Sequence, residues 1–175
     1  MTKETVLVGR VHVVRGADGK PIDNIDTDMI FHNAHLAITE IDRMGEHTFG
    51  NLEGWESFPQ KAGPGDILVV GGNFGAGSSR QQAVDCFRAL GVTAIVGESF
   101  GAIYLRNAIN SAMPILTVAG IMDSGLQDGD VIHIDLEKST LTAEREGLTL
   151  PEPKPFSTVQ LDIYRAGSLF EVKPE

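Results

Sequence analysis

The chain has 175 residues, of which 42% are hydrophobic and 22% charged, so it has enough apolar material for the core of one globular domain. Its formal net charge of −10 argues against a protein that neutralises the phosphates of DNA or RNA, which would need a basic face. No run approaches the ~18 apolar residues that cross a bilayer, and Met1 to Thr5 lack the features of a secretory signal, so we expect a cytoplasmic protein with neither a nucleic-acid nor a membrane partner.

The first third of the chain predicts a strand and then a long irregular segment. Residues 6–14 alternate apolar and polar side chains as a half-buried strand does, and the turn-rich sequence ADGKPIDNIDTD follows. From Met29 to Lys61 the periodicity is poor and the glycines are scattered. We therefore expect a long functional loop with short helical pieces here.

The middle of the chain has a cleaner pattern. The spacing predicts strands at 66–71, 92–96 and 115–118, separated by helices at 78–90 and 99–112. This order implies a parallel sheet with right-handed crossovers, and hence an α/β fold. After Gly120, β-branched alternation predicts a β-hairpin, and residues 156–164 predict one further strand. We expect a single domain over residues 1–175.

A glycine-rich sequence, GGNFGAGSSR at residues 71–80, follows the first strand of that unit. It departs from a dinucleotide-binding fingerprint because Arg80 stands at the third glycine position, and from a P-loop because Ser78 stands at the lysine position. The glycines permit close backbone approach, a helix N-terminus favours an anion, and the Arg80 guanidinium matches a carboxylate. The alternative is that Ser78 only caps the helix and Arg80 is a solvated first-turn residue, although the helix dipole disfavours a cation there.

The run GGNFGAGSSRQQAVDCFRALGVTAIVGESFGAIYLRNAINSAMPIL, with DNIDTDMI upstream, resembles the small subunit of 3-isopropylmalate dehydratase and its relatives in the aconitase superfamily, over about residues 8–170. The resemblance implies a three-layer β/β/α swivelling domain with a parallel strand-helix-strand core and added β-hairpins. It also implies a separate large subunit, in a heterodimer or heterotetramer, that holds a [4Fe–4S] cluster on three cysteines. Cys86 is the only cysteine and cannot hold that cluster, so we expect no cofactor or metal on this chain and no activity without the partner.

The chemistry of this family explains the residue types in the loop. Moving a hydroxyl between adjacent carbons of a malate-type di- or tricarboxylic acid requires removal of a proton next to a carboxylate, and fixed donors must stabilise the resulting anion. By the resemblance, Ser78 takes that proton, and Gly77, Ser79 and Arg80 bind the substrate. Asp28 matches a family position near the active site and is expected to orient Arg80.

The resemblance also implies that residues 28–62 contain the substrate-recognition loop. Homoaconitase-like relatives carry an arginine in this loop, whereas isopropylmalate enzymes have apolar residues there. The corresponding stretch here runs from His35 to Thr39, with Ala37 at the arginine position, so an apolar side chain on the substrate is favoured. The competing interpretation is a relative that acts on citrate, homocitrate or 2,3-dimethylmalate. His35 replaces the more usual tyrosine, and it either binds a carboxylate when protonated or has no role.

Three further features have simple structural interpretations. Asp26-Thr27-Asp28 suggests a metal pair, but aspartates in such turns more often bond their own backbone. Cys86 lies on the apolar face of the first predicted helix and is expected to be a core thiol. Arg106, Asn107 and Asn110 belong to a pattern that the family shares and are expected to tie the second helix to the loops. The alternative to an enzyme subunit is a non-catalytic module that binds a small carboxylate or phosphate.

Overall fold

The computed structural model describes residues 3–174, so Met1, Thr2 and Glu175, at the ends of the predicted domain, lie outside the described residues. Its strands form one six-stranded sheet in the order β4-β3-β2-β1-β5-β6. They are β1 (Val6–Val13), β2 (Ile67–Val70), β3 (Ala94–Gly97), β4 (Ile115–Thr117), β5 (Val131–Asp135) and β6 (Thr140–Ala143). Strands β1 to β4 pair in parallel, whereas β5 pairs antiparallel with β1 and β6. The predicted α/β class, parallel core and hairpin are confirmed.

The α-helices of the described part are α1 (Thr27–Ile30), α2 (Ile41–Met44), α3 (Phe58–Lys61), α4 (Gln82–Ala89), α5 (Ala102–Asn110) and α6 (Thr158–Ala166). Short 3₁₀ turns cover Asn33–His35, Gly45–His47, Ile121–Asp123 and Leu169–Glu171. The segment between β1 and β2 therefore holds three single-turn helices and two 3₁₀ turns, as its poor periodicity predicted. None of the helices over residues 3–174 has the length and apolarity to cross a membrane.

The sheet is covered on both faces. In β2, Leu68 and Val70 contribute to one apolar cluster, and Ile67 and Val69 contribute to the other, because side chains alternate along a strand. The first cluster includes residues of α4, α5 and the 27–61 segment. The second includes residues of the β5–β6 hairpin, the 121–123 turn and α6. This layering agrees with the three-layer architecture that the resemblance implied.

Residues 156–164 do not form the predicted strand, because a helix with strong start and stop signals occupies them. The side chain of Ser157 accepts a hydrogen bond from the Gln160 amide, and the Gln160 side chain accepts one from the Ser157 amide. This capping box begins α6. Gly167, with φ of 101°, ends it in the left-handed conformation that favours glycine. These terminal signals outweigh the alternation of apolar residues on which the strand prediction rested.

Candidate functional site

The glycine-rich loop, residues 71–81, leaves the carboxyl end of β2, the edge at which ligands bind in parallel sheets. It is held from two sides. The amide of Gly75 donates to the Ile25 carbonyl at 2.7 Å, and the amide of Thr27 donates to the Ala76 carbonyl at 3.0 Å. On the other side the Gly101 amide donates to the Phe74 carbonyl at 2.9 Å. The loop is therefore fixed between the start of α1 and the start of α5.

Gly75 brings the loop backbone against Tyr104 of α5. Its φ is 78°, and a Cβ added there would lie 2.2 Å from Cγ of Tyr104. The Tyr104 ring cannot retreat easily, because it is buried and its hydroxyl donates to the Ala83 carbonyl at 2.9 Å. Burial also raises the pKa of Tyr104 well above its usual value, so the hydroxyl stays a neutral donor. Glycine at residue 75 is thus required by both conformation and space.

The helix after the loop begins later than predicted. It starts at Gln82 rather than Ser78, so Ser78 is not a helix cap and Arg80 is not in the first turn. Ser78 and Ser79 are exposed. The backbone N–H groups of residues 78–81 make no hydrogen bond to any residue in the range 3–174. Free loop amides, rather than the end of the helix dipole at Ser78, are therefore the donors available to an anion.

Arg80 carries its own counterion. Its side chain is only 11% exposed, and Nη1 donates to Asp28 Oδ1 at 3.0 Å and to the Phe31 carbonyl at 2.6 Å. The expected position of Arg80 in the first turn of the helix is therefore wrong, because Arg80 precedes the helix and pairs with Asp28. Its Nε and Nη2 atoms make no hydrogen bond within the described part of the chain, so these donors remain available to a ligand.

Asp28 joins Arg80 to the segment between β1 and β2. Its Oδ1 also accepts a hydrogen bond from the Asn33 amide at 2.9 Å, and its Oδ2 accepts one from Asn51 Nδ2 at 3.1 Å. The hydrogen bond from Arg80, followed by that from Asn33, holds the pKa of Asp28 below its ordinary value. The contact predicted between Asp28 and Arg80 is present. Asn51 was not predicted, because nothing in the sequence relates it to a residue 23 positions away.

The two serines are held differently. Thr27 Oγ1 donates to the main-chain carbonyl of Ser78 at 3.0 Å, which fixes the backbone and leaves the Ser78 hydroxyl unused. Asn107 Nδ2 donates to Ser79 Oγ at 3.0 Å, so the predicted tie between the second helix and the loops is confirmed for Asn107. The side chains of Arg106 and Asn110 make no hydrogen bond to the loops within residues 3–174. Gly77, with φ of 92°, precedes the serines in the left-handed conformation.

The acidic residues before the loop have backbone partners. Asp26 Oδ1 accepts from the Met29 amide at 2.9 Å and so caps α1, as aspartates in such turns do. Across residues 3–174 no three His, Cys, Asp or Glu side chains are grouped so that they could hold a metal ion. Cys86 is fully buried in the core, where burial raises the pKa of its thiol to about 12. The expected core thiol is confirmed, and this cysteine does not fit as a cluster ligand, which must be a thiolate.

The segment predicted to recognise the substrate packs beside α4. Gln82 Nε2 donates to the Leu36 carbonyl at 3.4 Å, so the chain passes close to the end of the loop. Ala37 and Thr39 are both exposed, and neither forms a hydrogen bond to residues 71–81 of the described chain. Their role in recognition stays a prediction.

His35 lies in a group of histidine rings. It stacks on His47 with the ring centroids 3.8 Å apart and an interplanar angle of 17°, and His32 lies nearby with its centroid at 6.3 Å. Burial, followed by the charges of His47 and His32, lowers the pKa of His35. Protonation is therefore disfavoured, and this environment does not support the interpretation that a protonated His35 binds a carboxylate.

The chain is similar in sequence and in structure to several known proteins. Residues 20–119 match the family described as the aconitase C-terminal domain. The 3-isopropylmalate dehydratase small subunit of Halothermothrix orenii is 34% identical over 149 residues, which are 85% of this chain and 88% of that one. The methanogen homoaconitase small subunit of Methanocaldococcus jannaschii is 33% identical over 157 residues, 90% of this chain and 89% of that one. A crystal structure of a 3-isopropylmalate dehydratase from the same organism superposes with a TM-score of 0.82 at 30% identity, covering 95% of this chain and 92% of that chain.

Proposed function

The chain belongs to the aconitase C-terminal domain family, and from that premise we propose that it is the small subunit of a hydro-lyase. The reaction is the interconversion of 2-isopropylmalate and 3-isopropylmalate by dehydration and rehydration, in leucine biosynthesis, together with an iron–sulfur large subunit in the cytoplasm. The observation that carries the proposal is the loop itself, in which an unused serine hydroxyl and free amides lie beside a buried arginine anchored by Asp28.

In the proposed reaction Ser78 accepts the proton removed next to a carboxylate. A serine hydroxyl is a poor base in water, so its alkoxide must be stabilised by its surroundings. In the proposal the free amides of residues 78–81 supply partial positive charge, and Arg80 supplies a guanidinium whose charge Asp28 partly offsets. When the large subunit covers the exposed loop, water is excluded. The loop amides and the guanidinium then stabilise the alkoxide more strongly.

The remaining loop residues bind the substrate in this proposal. The Nε and Nη2 donors of Arg80 form the planar fork that a carboxylate accepts. Ser79, oriented by Asn107, donates a further hydrogen bond, and Gly77 lets the backbone approach the ligand. Because Arg80 is anchored through Nη1 before the substrate arrives, little ordering free energy is lost when the carboxylate binds.

The large subunit completes the site. Under the proposal it holds a [4Fe–4S] cluster, which supplies a Lewis acid for the hydroxyl that leaves. The buried thiol of Cys86 does not fit that task, so the contribution of this chain is restricted to the proton and to the substrate's carboxylates. The isolated chain is therefore inactive in this proposal.

Isopropylmalate is the preferred substrate in the proposal because Ala37 offers no charge to a third carboxylate. Homocitrate is the second candidate, since the methanogen homoaconitase small subunit matches this chain at 33% identity over 90% of its length. In this proposal isopropylmalate places an apolar group against the recognition segment, whereas homocitrate places a carboxylate there. The two substrates therefore favour different side chains at residue 37.

Reconstitution with the large subunit tests the proposal. The full chain is co-purified anaerobically with the large subunit from the same genome, and initial rates are compared on isopropylmalate, homocitrate, citrate and 2,3-dimethylmalate. We expect turnover by the pair, highest on isopropylmalate, and none by either subunit alone. Turnover by this chain alone would contradict the proposal. So would calorimetry showing that the isolated chain binds isopropylmalate, citrate or ATP at micromolar concentration, about −8 kcal/mol, because that result favours a stand-alone binding module.

A further inference from the structure

A cleft of about 940 Å³ opens between the turn at residues 15–23 and the segment at residues 51–61. Its lining includes His12 of β1, Trp55 and Phe58, and it does not include residues 77–80 or Asp28. A volume of this size is typical of pockets that hold small organic ligands. The cleft adjoins the site described above through Asn51, which donates to Asp28, but the proposed mechanism uses none of the side chains that line it.

His12, which lines the cleft, has one ring nitrogen without a hydrogen-bond partner among the described residues. His12 Nε2 lies 2.6 Å from Asp66 Oδ2, and the same oxygen accepts hydrogen bonds from Arg10 and from the Gly63 amide. The other ring nitrogen, Nδ1, makes no hydrogen bond to residues 3–174. Every fully buried side-chain nitrogen or oxygen in that range has a partner, so Nδ1 is not fully buried, although the side chain is only 12% exposed. Nδ1 is therefore a partly exposed atom of a residue that lines the cleft.

Fixed aromatic rings form one wall. Trp55 Nε1 donates to the Arg15 carbonyl at 2.9 Å, which holds the indole in place. Phe58 packs edge-on to His12 with the ring centroids 5.1 Å apart, and the Trp55 and Phe58 centroids are 6.0 Å apart. Ile22 and Leu52 extend the apolar lining. This wall suits an apolar or aromatic side chain of a ligand.

Charges of both signs line the cleft without neutralising one another. The cations are Arg15 and Lys61, and the anions are Asp18, Asp23, Glu53 and Asp128. None of these six side chains belongs to an ion pair within the described residues. Arg15 donates only to the carbonyls of Gly19 and Met122. A ligand with a single charge would find partners of only one sign, whereas a zwitterion finds partners of both.

We propose that this cleft binds a zwitterion that carries an apolar or aromatic side chain. Its side chain lies on Trp55, which the buried Phe58 supports from the core. Its ammonium group faces the carboxylates, and its carboxylate faces Lys61 or Arg15. His12 Nδ1 supplies a further hydrogen bond. A free amino acid and a short peptide share this chemistry, and the size of the cleft admits either.

Trp55 makes the proposal directly testable, because it is the only tryptophan in the chain. The full-length chain is titrated with phenylalanine, leucine and the dipeptide Phe-Leu while indole fluorescence is followed. We expect a saturable change with each zwitterion, and binding at least about tenfold weaker for glycine and for N-acetyl-leucine amide, which lack the side chain or the charges. Tighter binding of the dipeptide identifies a peptide as the source of the ligand, and tighter binding of phenylalanine or leucine identifies an amino acid.

Matched variants locate the binding. Glu53→Gln and Lys61→Gln should each weaken binding by about threefold, as expected for exposed charges. Glu152→Gln and Lys138→Gln change the same side chains outside the cleft lining and should leave binding unchanged. The proposal is overturned if the zwitterions leave Trp55 fluorescence unchanged, if the capped analogue binds equally well, or if the cleft variants bind like the unmodified chain. No large subunit is needed, so this result is independent of the proposed reaction.

Discussion

Asp28 and Arg80 form a 3.0 Å hydrogen-bonded ion pair between Oδ1 and Nη1, although 51 residues separate them in the chain. Asp28→Asn keeps the size of the side chain but removes the charge that fixes Arg80. In the reconstituted pair we expect KM to rise by about tenfold with a smaller fall in kcat, because Arg80 is then free to adopt orientations that do not bind the substrate. Steady-state kinetics measure this split. Asp42→Asn, on the first turn of α2, is the matched control, and an unchanged KM in Asp28→Asn would refute the positioning role.

Ser78→Ala tests the proton acceptor. The substitution leaves the loop amides and Arg80 in place, because the contact from Thr27 goes to the main-chain carbonyl of Ser78. We expect kcat to fall by ~10³-fold or more with little change in KM, as for a group used only in the transition state. Ser168→Ala, at the end of the chain beyond α6, should keep full activity. Near-normal kcat in an assembled Ser78→Ala pair would show that another group takes the proton.

Ala37→Arg tests substrate selection. A guanidinium at this exposed position should disfavour an isopropyl group and attract a third carboxylate. The ratio of kcat/KM for homocitrate over isopropylmalate should therefore rise by at least about tenfold. Ala34→Arg adds the same charge three residues earlier and controls for a general electrostatic effect. Equal preferences in the unmodified and Ala37→Arg enzymes would remove Ala37 from the recognition segment.

Gly75→Ala tests the close approach between the loop and α5. The new Cβ would lie 2.2 Å from Cγ of Tyr104, at a φ of 78° that alanine rarely adopts. We expect the free energy of unfolding in urea to fall by roughly 2–4 kcal/mol. Gly63→Ala is the matched control, because a Cβ there meets no atom within 4 Å, and its effect should stay within ~0.5 kcal/mol. Similar urea midpoints for the two variants would mean that the loop can move away from the ring.

The stacked histidines predict a dependence of stability on pH. The pKa of His35 is lowered from 6.5 in the folded state, so below about pH 6.5 the unfolded chain binds more protons than the folded chain. The contribution of neutral His35 to stability is therefore complete above the unfolded pKa of 6.5 and is lost as the pH falls through the lower, folded-state pKa. Urea unfolding at about pH 7.5 and about pH 5.5 should show a smaller loss of stability on acidification in His35→Phe than in the unmodified chain. An equal loss in His35→Phe would place the titrating group elsewhere.

The sheet and its helices could be predicted from the sequence better than the geometry of the site could. Buried runs such as Ile67–Val70 have a strong local pattern, so the parallel core could be placed from periodicity alone. The start of α4 was placed four residues early, at Ser78, because a serine after glycines is a common helix start and nothing local shows that the chain is drawn aside by Thr27 and Asn107. The link from Asn51 through Asp28 to Arg80 depends on tertiary packing and has no local signal.

The register of the sheet fixes where the chain can be modified without disturbing the loop. Strand β5 runs against β1, with Asp135 opposite Val6, so the turn that follows β5 lies at the amino end of β1. The glycine-rich loop leaves the opposite, carboxyl end of the parallel strands. Lys138, exposed in that turn, is therefore a suitable attachment point for a dye or a surface linker. A chain immobilised through Lys138 presents Ser78 and Arg80 away from the support, so assembly with a large subunit can be followed in real time on a sensor chip.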